Sequence, residues 1–443
     1  MGGTGEAAWV EIAARGPLRG APSLPGDKSI SHRALIVAAI ADGTSRISGL
    51  NPGADVAATL AGLRAMGVAI DESGGMWRVH GLGRGGFTSP AAPIDCANSG
   101  TTARLLMGLA AGQGVDAGFT GDASLQRRPM TALIAPLRAL GAHVEAAAGE
   151  HLPLLVRGTA EPEALVHRLD APSSQVKTAL LLASLETAGV TEVIEPAATR
   201  DHGERMLARF GARIRTESGG DARRILLTGR ARLEARDIRI PADPSAAAFL
   251  AVAASIVPGS AITMACVGIN AMRTGLTDTL QLMGAALWMR DRRDLDGEPV
   301  ADLAVRQAPL RAVDVPAVMA PAMIDEYPAF FVAAAFADGT SRAHGLGALR
   351  HKESDRLAAM AEALRAIGAR VTVEGDDIAI EGTGGAPLAG GADVETGDHR
   401  VAMALAVAGM NCRAPIRVRG METAAISFPG FVGTIGLVRG PLA

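Results

Sequence analysis

Cysteine is almost absent from this 443-residue sequence: Cys96, Cys266 and Cys412 stand far apart, with neither CxxC nor HxxxH spacing. That pattern excludes a disulfide framework and speaks against a zinc site, so all three are expected as buried small hydrophobes. An excess of one charge is also lacking. With 43 basic and 46 acidic residues, no overall field would draw the chain to nucleic acid or an anionic membrane, and any affinity for anions must be local. Long apolar runs are missing as well; the longest, near Leu180 and Val401, are too short to span a bilayer. Met1 to Arg19 mixes Gly, Ala and Glu without an apolar core of signal-peptide length, so the expected location is the cytoplasm. What is present, 48% apolar and 20% charged residues, is a globular profile, and the length points to two or three domains.

The strongest signal is internal repetition. DGTSRISGL at Asp42 to Leu50 returns as DGTSRAHGL at Asp338 to Leu346, and both run into an amphipathic stretch that ends on a glycine. The same ending recurs at Gly141, Gly211 and Gly284, as expected where a helix stops on a left-handed residue. Ahead of each unit lies an Ala- and Leu-rich segment that is hydrophobic nearly all round, which predicts a helix buried on every side. Six such segments begin near Ser29, Ser99, Ser174, Ser245, Glu326 and His399, at intervals of 70 to 81 residues. The chain is therefore predicted as six β-α-β-α-β-β units. The sixth ends early, and the strand-like AAWVEIAARG (Ala7 to Gly16) is expected to complete it. This gives an α/β protein of two three-repeat domains, residues 21–240 and residues 1–20 plus 241–443. A uniform solenoid is the alternative, but solenoids have shorter periods and polar caps.

Polar groups gather where the buried helices start: Lys28-Ser29, Asn98-Ser99-Gly100-Thr101, Ser173-Ser174-Gln175, Asp243-Pro244-Ser245, Asp325-Glu326 and Asp398-His399-Arg400. Taken singly, each reads best as a helix cap. Capping does not account for Lys28, Arg33, Arg104 or Arg400, because a cation near a helix N-terminus opposes the macrodipole. An anion should sit there, phosphate or carboxylate, held by helix starts and cations together. A second set of cations recurs before the amphipathic helices: Arg127-Arg128, Arg200, Arg273, and Arg350 with Lys352 and Arg356. Within this set, Arg127 and Arg273 are expected as solvated surface residues. LPGDKSISHR is not a P-loop, since Asp27 separates Gly26 from Lys28 and Gly20 is misplaced.

At these residues the sequence resembles the 5-enolpyruvylshikimate-3-phosphate synthase family. The motifs are LPGDKSISHRAL (Leu24 to Leu35), NSGTTARLL (Asn98 to Leu106), GDASLQRRPM (Gly121 to Met130), SSQVKTALLLASL (Ser173 to Leu185), IDEYPA (Ile324 to Ala329), KESDRL (Lys352 to Leu357) and DHRVAMALAVAGM (Asp398 to Met410), in family order. IDEYP and SSQVK resemble the glyphosate-tolerance-associated second class. The resemblance implies an inside-out two-domain α/β barrel. It also implies transfer of the enolpyruvyl group of phosphoenolpyruvate to the 5-hydroxyl of shikimate 3-phosphate, with release of phosphate, in a monomer without metal or organic cofactor. Carried over by motif, shikimate 3-phosphate falls to Lys28, Ser29, Arg33, Ser173, Ser174, Gln175, Arg200, Asp325 and Lys352. Phosphoenolpyruvate falls to Lys28, Asn98, Gly100, Arg128, Gln175, Arg356 and Arg400.

The chemistry needs a base on the attacking hydroxyl and an acid for the methylene carbon, so that a tetrahedral ketal forms and then eliminates phosphate. Asp325 is the expected base and Glu353 the expected acid, with Lys28 and Lys352 as candidate proton partners. The bland reading of each carboxylate is a plain ion pair. The sequence also departs from the family. Ile426 stands where many members have Lys, Ala242 replaces a usual Gly, Ala246 a usual Ser and Gly203 a usual Thr. Two other readings remain: a UDP-N-acetylglucosamine enolpyruvyl transferase-like enzyme, which would use a loop cysteine where these cysteines fall in strand or helix patterns, and a non-catalytic anion-binding repeat protein.

Overall fold

A computed structural model of the chain describes residues 8–14, 16–147, 149–219 and 222–438. The first seven residues of the expected second domain, Arg15 of the expected N-terminal strand, and the last five residues lie outside the described residues. The chain divides into two compact units, one of residues 26–240 with 294–298, the other of residues 1–25, 241–293 and 299–443.

Each unit is built on three helices that run through its interior. Lys28–Ile40, Gly100–Gly112 and Ser174–Ala183 form the core of the 26–240 unit, and Pro244–Ile256, Tyr327–Phe336 and His399–Gly409 that of the other. Small side chains suit them to enclosure on all sides; every residue of Pro244–Ile256 is buried. Five of the six are capped by a side chain accepting from the first turn, through Asp27, Ser99, Ser173, Asp243 and Asp398. Glu326 stands at the sixth start without capping it. Backbones meet where the helices cross: a Cβ on Gly108 would stand 2.3 Å from Ala179 O, and one on Gly112 2.1 Å from Ala183 O. No other residue fits there.

Residues 94–157 show one whole repeat: strand Ile94–Asp95, core helix, strand Asp116–Thr120, helix Thr131–Ala139, then the hairpin His143–Ala147 and His151–Arg157. The short first strand lies parallel to the second, and the hairpin continues the sheet antiparallel. The amphipathic helices stop at Gly67, Gly141, Gly211, Gly284 and Gly368, each with φ between 85 and 105°, a conformation that carries no steric cost only for glycine. Among the described residues the last sheet has no hairpin of its own; Trp9–Ile12 pairs antiparallel with Ile416–Arg419.

The unit boundary lies at residues 25 and 26, not at 20 and 21. Arg19–Gly20 pairs in parallel with Ala261–Ile262, and Asp243 N–H donates to Pro25 O at 2.9 Å, so backbone bonds hold the leader through Pro25. Residues 294–298, expected with 241–443, instead join the 26–240 unit. There Asp296 meets Arg209 and Arg239 at 3.0 Å each, and Glu298 meets buried His202 at 2.8 Å. Among the described residues no single helix is long and apolar enough to cross a membrane.

One surface cluster gives a pH prediction. His344 contacts Asp377 at 2.7 Å through Nδ1 and Asp314 at 2.9 Å through Nε2. The Asp377 hydrogen bond leads in raising the imidazole above its ordinary value, and the same bond leads in lowering Asp377. A raised histidine stabilises fully below its unfolded value and loses this effect as pH rises through the folded one; a lowered aspartate loses its effect as pH falls through its folded value. Substituting His344→Gln is therefore expected to lower the thermal midpoint most at mildly acidic pH, between those limits, with the difference shrinking on both sides. A difference that does not change with pH would contradict this.

Candidate functional site

In the 26–240 unit the three core helices present their starts together with five cations. Arg33, one turn into its helix and only 2% exposed, donates to Ser29 O at 2.9 Å, Ser174 O at 3.3 Å and Thr178 Oγ1 at 3.1 Å. Ser29, Arg33 and Ser174 are thereby brought together as the sequence predicts. Burial, then the field of nearby Arg200, pulls the Arg33 guanidinium down to about 10 against the support of Glu204 and Asp27, so it remains charged at neutral pH.

Asn98, Gly100, Arg128 and Gln175 form a second connected group. Arg128 donates to Asn98 Oδ1 at 2.7 Å and Asn98 O at 3.3 Å, while Asn98 donates to Asp122 at 2.7 Å. Gln175 donates to Thr101 Oγ1 at 2.9 Å and accepts from Arg104 at 3.1 Å. Arg104 also donates to Gly100 O and Pro129 O, and burial, then the field of Arg128, brings it down to about 10. Sequence reasoning marked Arg104 as unexplained but gave it no ligand; its central position here is new. Lys28, in contrast, is met by Asp55 at 2.6 Å, a partner no motif pointed to.

Counter-ions distinguish these cations. Among the described residues, no carboxylate lies within 4.0 Å of Arg33, Arg104 or Arg128. Three partly or fully desolvated guanidiniums that donate only to carbonyl, amide and hydroxyl oxygens, with Arg33 Nε and Arg128 Nε buried and unpartnered among the described residues, beside three helix N-termini, have the character of an anion site.

The other unit holds the carboxylates. Arg356 is 0% exposed and donates to Asp398 Oδ2 at 2.9 Å; it also pairs with Glu353 and lies 3.5 Å from Asp325 Oδ1. Burial opposes its charge, yet Asp398, Glu353 and Asp325 outweigh it and raise Arg356 above the ordinary guanidinium range. For Asp398 too, burial opposes the charge and Arg356 more than offsets it, holding the carboxyl below its ordinary value. Lys352 Nζ is also 3.5 Å from Asp325 Oδ1, and Arg400 donates to Asp325 O at 2.9 Å. Asp325, Lys352, Glu353, Arg356 and Arg400 are thus one cluster. Asp398 was visible as a helix start; its pairing with Arg356 was not.

Two expectations need correction. Arg273 is not a solvated surface residue: it is 4% exposed, with Asp243 at 3.1 Å, Ser245 Oγ at 2.9 Å and Glu326 at 3.9 Å. Two core-helix starts supply those partners, and the same contacts place Glu326, next to Asp325. Arg127 is exposed. Of the cysteines, Cys266 is half-buried rather than buried, at a break in strand register with φ 54°. Cys96 lies just past strand Ile94–Asp95, in the turn before Asn98, not within a strand or helix.

The remaining predicted residues fall as follows. Ser173 caps the Ser174 helix by accepting from Val176 N–H at 3.3 Å. Arg200 is half-buried, and Ile426 ends the short helix Met421–Ile426.

Known proteins resemble this chain over nearly its whole length. The family model for EPSP synthase (3-phosphoshikimate 1-carboxyvinyltransferase) matches residues 12–435. A 3-phosphoshikimate 1-carboxyvinyltransferase of Sphingopyxis alaskensis is 51% identical, over 94% of this chain and 95% of its own. One of Acidiphilium cryptum is also 51% identical, over 96% and 94%. A solved EPSP synthase from Acinetobacter baumannii is 39% identical and superposes with a TM-score of 0.86, over 97% of both chains. The fold alone is shared with the enolpyruvyl transferase NikO from Streptomyces tendae, 18% identical with a TM-score of 0.79 over 98% of both chains. The chain belongs to the EPSP synthase (3-phosphoshikimate 1-carboxyvinyltransferase) family.

Proposed function

We infer that the protein transfers the enolpyruvyl group of phosphoenolpyruvate to the 5-hydroxyl of shikimate 3-phosphate and releases phosphate, acting in the cytoplasm as a monomer. The observation that carries this reading is the set of three arginines, Arg33, Arg104 and Arg128, without carboxylate partners among the described residues. Both substrates are anions that such a set would bind. The 26–240 unit takes shikimate 3-phosphate through Lys28, Ser29, Arg33, Ser173, Ser174, Gln175 and Arg200, and phosphoenolpyruvate through Lys28, Asn98, Gly100, Arg128 and Gln175. Arg356 and Arg400 are assigned to phosphoenolpyruvate, and Asp325 and Lys352 to the reacting hydroxyl.

Asp325 accepts the hydroxyl proton as the oxygen attacks C2 of phosphoenolpyruvate, and Glu353 gives a proton to the methylene carbon, forming the tetrahedral ketal. Loss of phosphate, with one methyl proton returning to Glu353, then forms the enol ether. Glu353 starts as the ion-pair partner of Arg356, so before donating it must take up a proton from solvent as the incoming anion competes for Arg356. The cysteine-acid alternative is disfavoured: burial pushes the Cys96 thiol up to about 12 and Cys412 up to about 11, away from what proton transfer at neutral pH needs. Phosphate release by purified protein should require both substrates; release with neither or either one alone would refute the assignment.

The second-class membership rests on IDEYP and SSQVK. Gly100 bears on glyphosate, because an added Cβ would stand 2.6 Å from Arg104 Nη1 and 3.6 Å from Arg128 Nη1. Wild-type protein is expected to be glyphosate-sensitive. Substitution Gly100→Ala should raise the inhibition constant about tenfold or more and, by displacing Arg104, also raise KM for phosphoenolpyruvate. An unchanged inhibition constant would refute this.

A further inference from the structure

A second charged cluster, apart from the groups placed on the substrates, is enclosed within the 26–240 unit. The chain has only three lysines, Lys28, Lys177 and Lys352, and Lys177 alone is shut off from solvent, its side chain 0% exposed. Its ammonium lies 2.9 Å from Glu195 Oε1 and 2.8 Å from Glu204 Oε1. Arg223 closes the other side, 3.4 Å from Glu195 Oε2 and 3.9 Å from Glu204 Oε1. Two cations and two carboxylates balance. Apolar residues of the same volume would stabilise such an interior at least as well, so its use lies in fixing geometry.

The geometry it fixes is that of the shikimate 3-phosphate side. Lys177 N–H donates to Ser173 O at 3.0 Å, so its helix turn is the one that presents Ser173 and Ser174. Glu195 ends strand Val190–Glu195 and accepts from the Thr199 hydroxyl, while Arg223 donates to Thr199 O at 3.4 Å. Glu204 lies in the first turn of helix His202–Arg209. The loop 196–201, which carries Arg200, is thus clamped on both sides. Thr178, the next residue after Lys177, holds Arg33 Nη2 at 3.1 Å. Gly203 leaves Thr178 its space, since a Cβ there would stand 2.6 Å from Thr178 Oγ1, which accounts for the missing Thr at 203.

We propose that Lys177 is a positioning residue for shikimate 3-phosphate, acting through Glu195 and Glu204 to set Arg200, Arg33 and the Ser173-Ser174 helix start. This rests on the activity inferred above. The test compares wild type with Lys177→Met in two assays: steady-state phosphate release, and calorimetric titration with shikimate 3-phosphate alone, which needs no turnover. The expected result is about a tenfold or greater rise in both KM and Kd for shikimate 3-phosphate, with kcat and KM for phosphoenolpyruvate within about threefold of wild type. Equal weakening of both substrates, or unchanged shikimate 3-phosphate binding, would overturn the proposal. If Lys177→Met does not fold, Glu204→Gln, which keeps shape and removes one charge, is judged by the same criterion. Wild type that binds shikimate 3-phosphate but releases no phosphate would count against the inferred activity, and calorimetry would still decide the role of Lys177.

Discussion

Asp325→Asn is expected to retain its fold and bind both substrates while losing about 10²- to 10⁴-fold in kcat, the range for removing a positioned general base. The structure separates catalysis from stability here. Asp325 lies 3.5 Å from Lys352 and from Arg356, but Arg356 keeps Asp398 and Glu353 when this carboxylate is removed. The bond from Arg400 to Asp325 goes to the backbone oxygen and survives the substitution. No buried charge is left unpaired. A kcat within about fivefold of wild type would place the base elsewhere.

Two arginines inferred to hold the same substrate should behave in opposite ways when removed. Arg128 donates to Asn98 and Ser124 and has no carboxylate within 4.0 Å among the described residues. Arg128→Met should therefore leave the urea midpoint unchanged or slightly raised. It should weaken phosphoenolpyruvate by about 1.5–3 kcal/mol, the value of hydrogen bonds to a charged group. Arg356 is enclosed by Asp398, Glu353 and Asp325, and Arg356→Met would remove the arginine partner of the fully enclosed Asp398 and one partner each from Glu353 and Asp325. A loss of about 3–5 kcal/mol in stability is expected, measured by urea unfolding followed in the unit that holds Arg356. Equal effects of the two substitutions on stability would contradict the charge assignment.

Much of this architecture is legible in the sequence because it is written locally. A core helix enclosed on all sides must be Ala- and Leu-rich throughout, and a helix ending on a left-handed residue calls for glycine, so six buried helices and the Gly67, Gly141, Gly211, Gly284 and Gly368 stops can be read without coordinates. Pairing of Trp9–Ile12 with Ile416–Arg419 follows from counting strands per repeat. What escaped depends on side chains meeting across repeats. Arg273 looks like a surface residue until Asp243, Ser245 and Glu326 converge on it. Lys28 looks like a free cation until Asp55 reaches it. The placement of residues 294–298 likewise depends on Arg209, Arg239 and His202, far off in sequence. Motifs named the residues of the candidate site, but only distances show which cations have a carboxylate partner and which, among the described residues, have none.

Phosphorus NMR of purified protein mixed with phosphoenolpyruvate and shikimate 3-phosphate tests the central claim most directly. The phosphoenolpyruvate resonance should fall as inorganic phosphate rises, with one new phosphate-monoester resonance, that of the enol ether, growing in equal amount. Inorganic phosphate appearing without that new resonance, or a spectrum that does not change, would contradict the account.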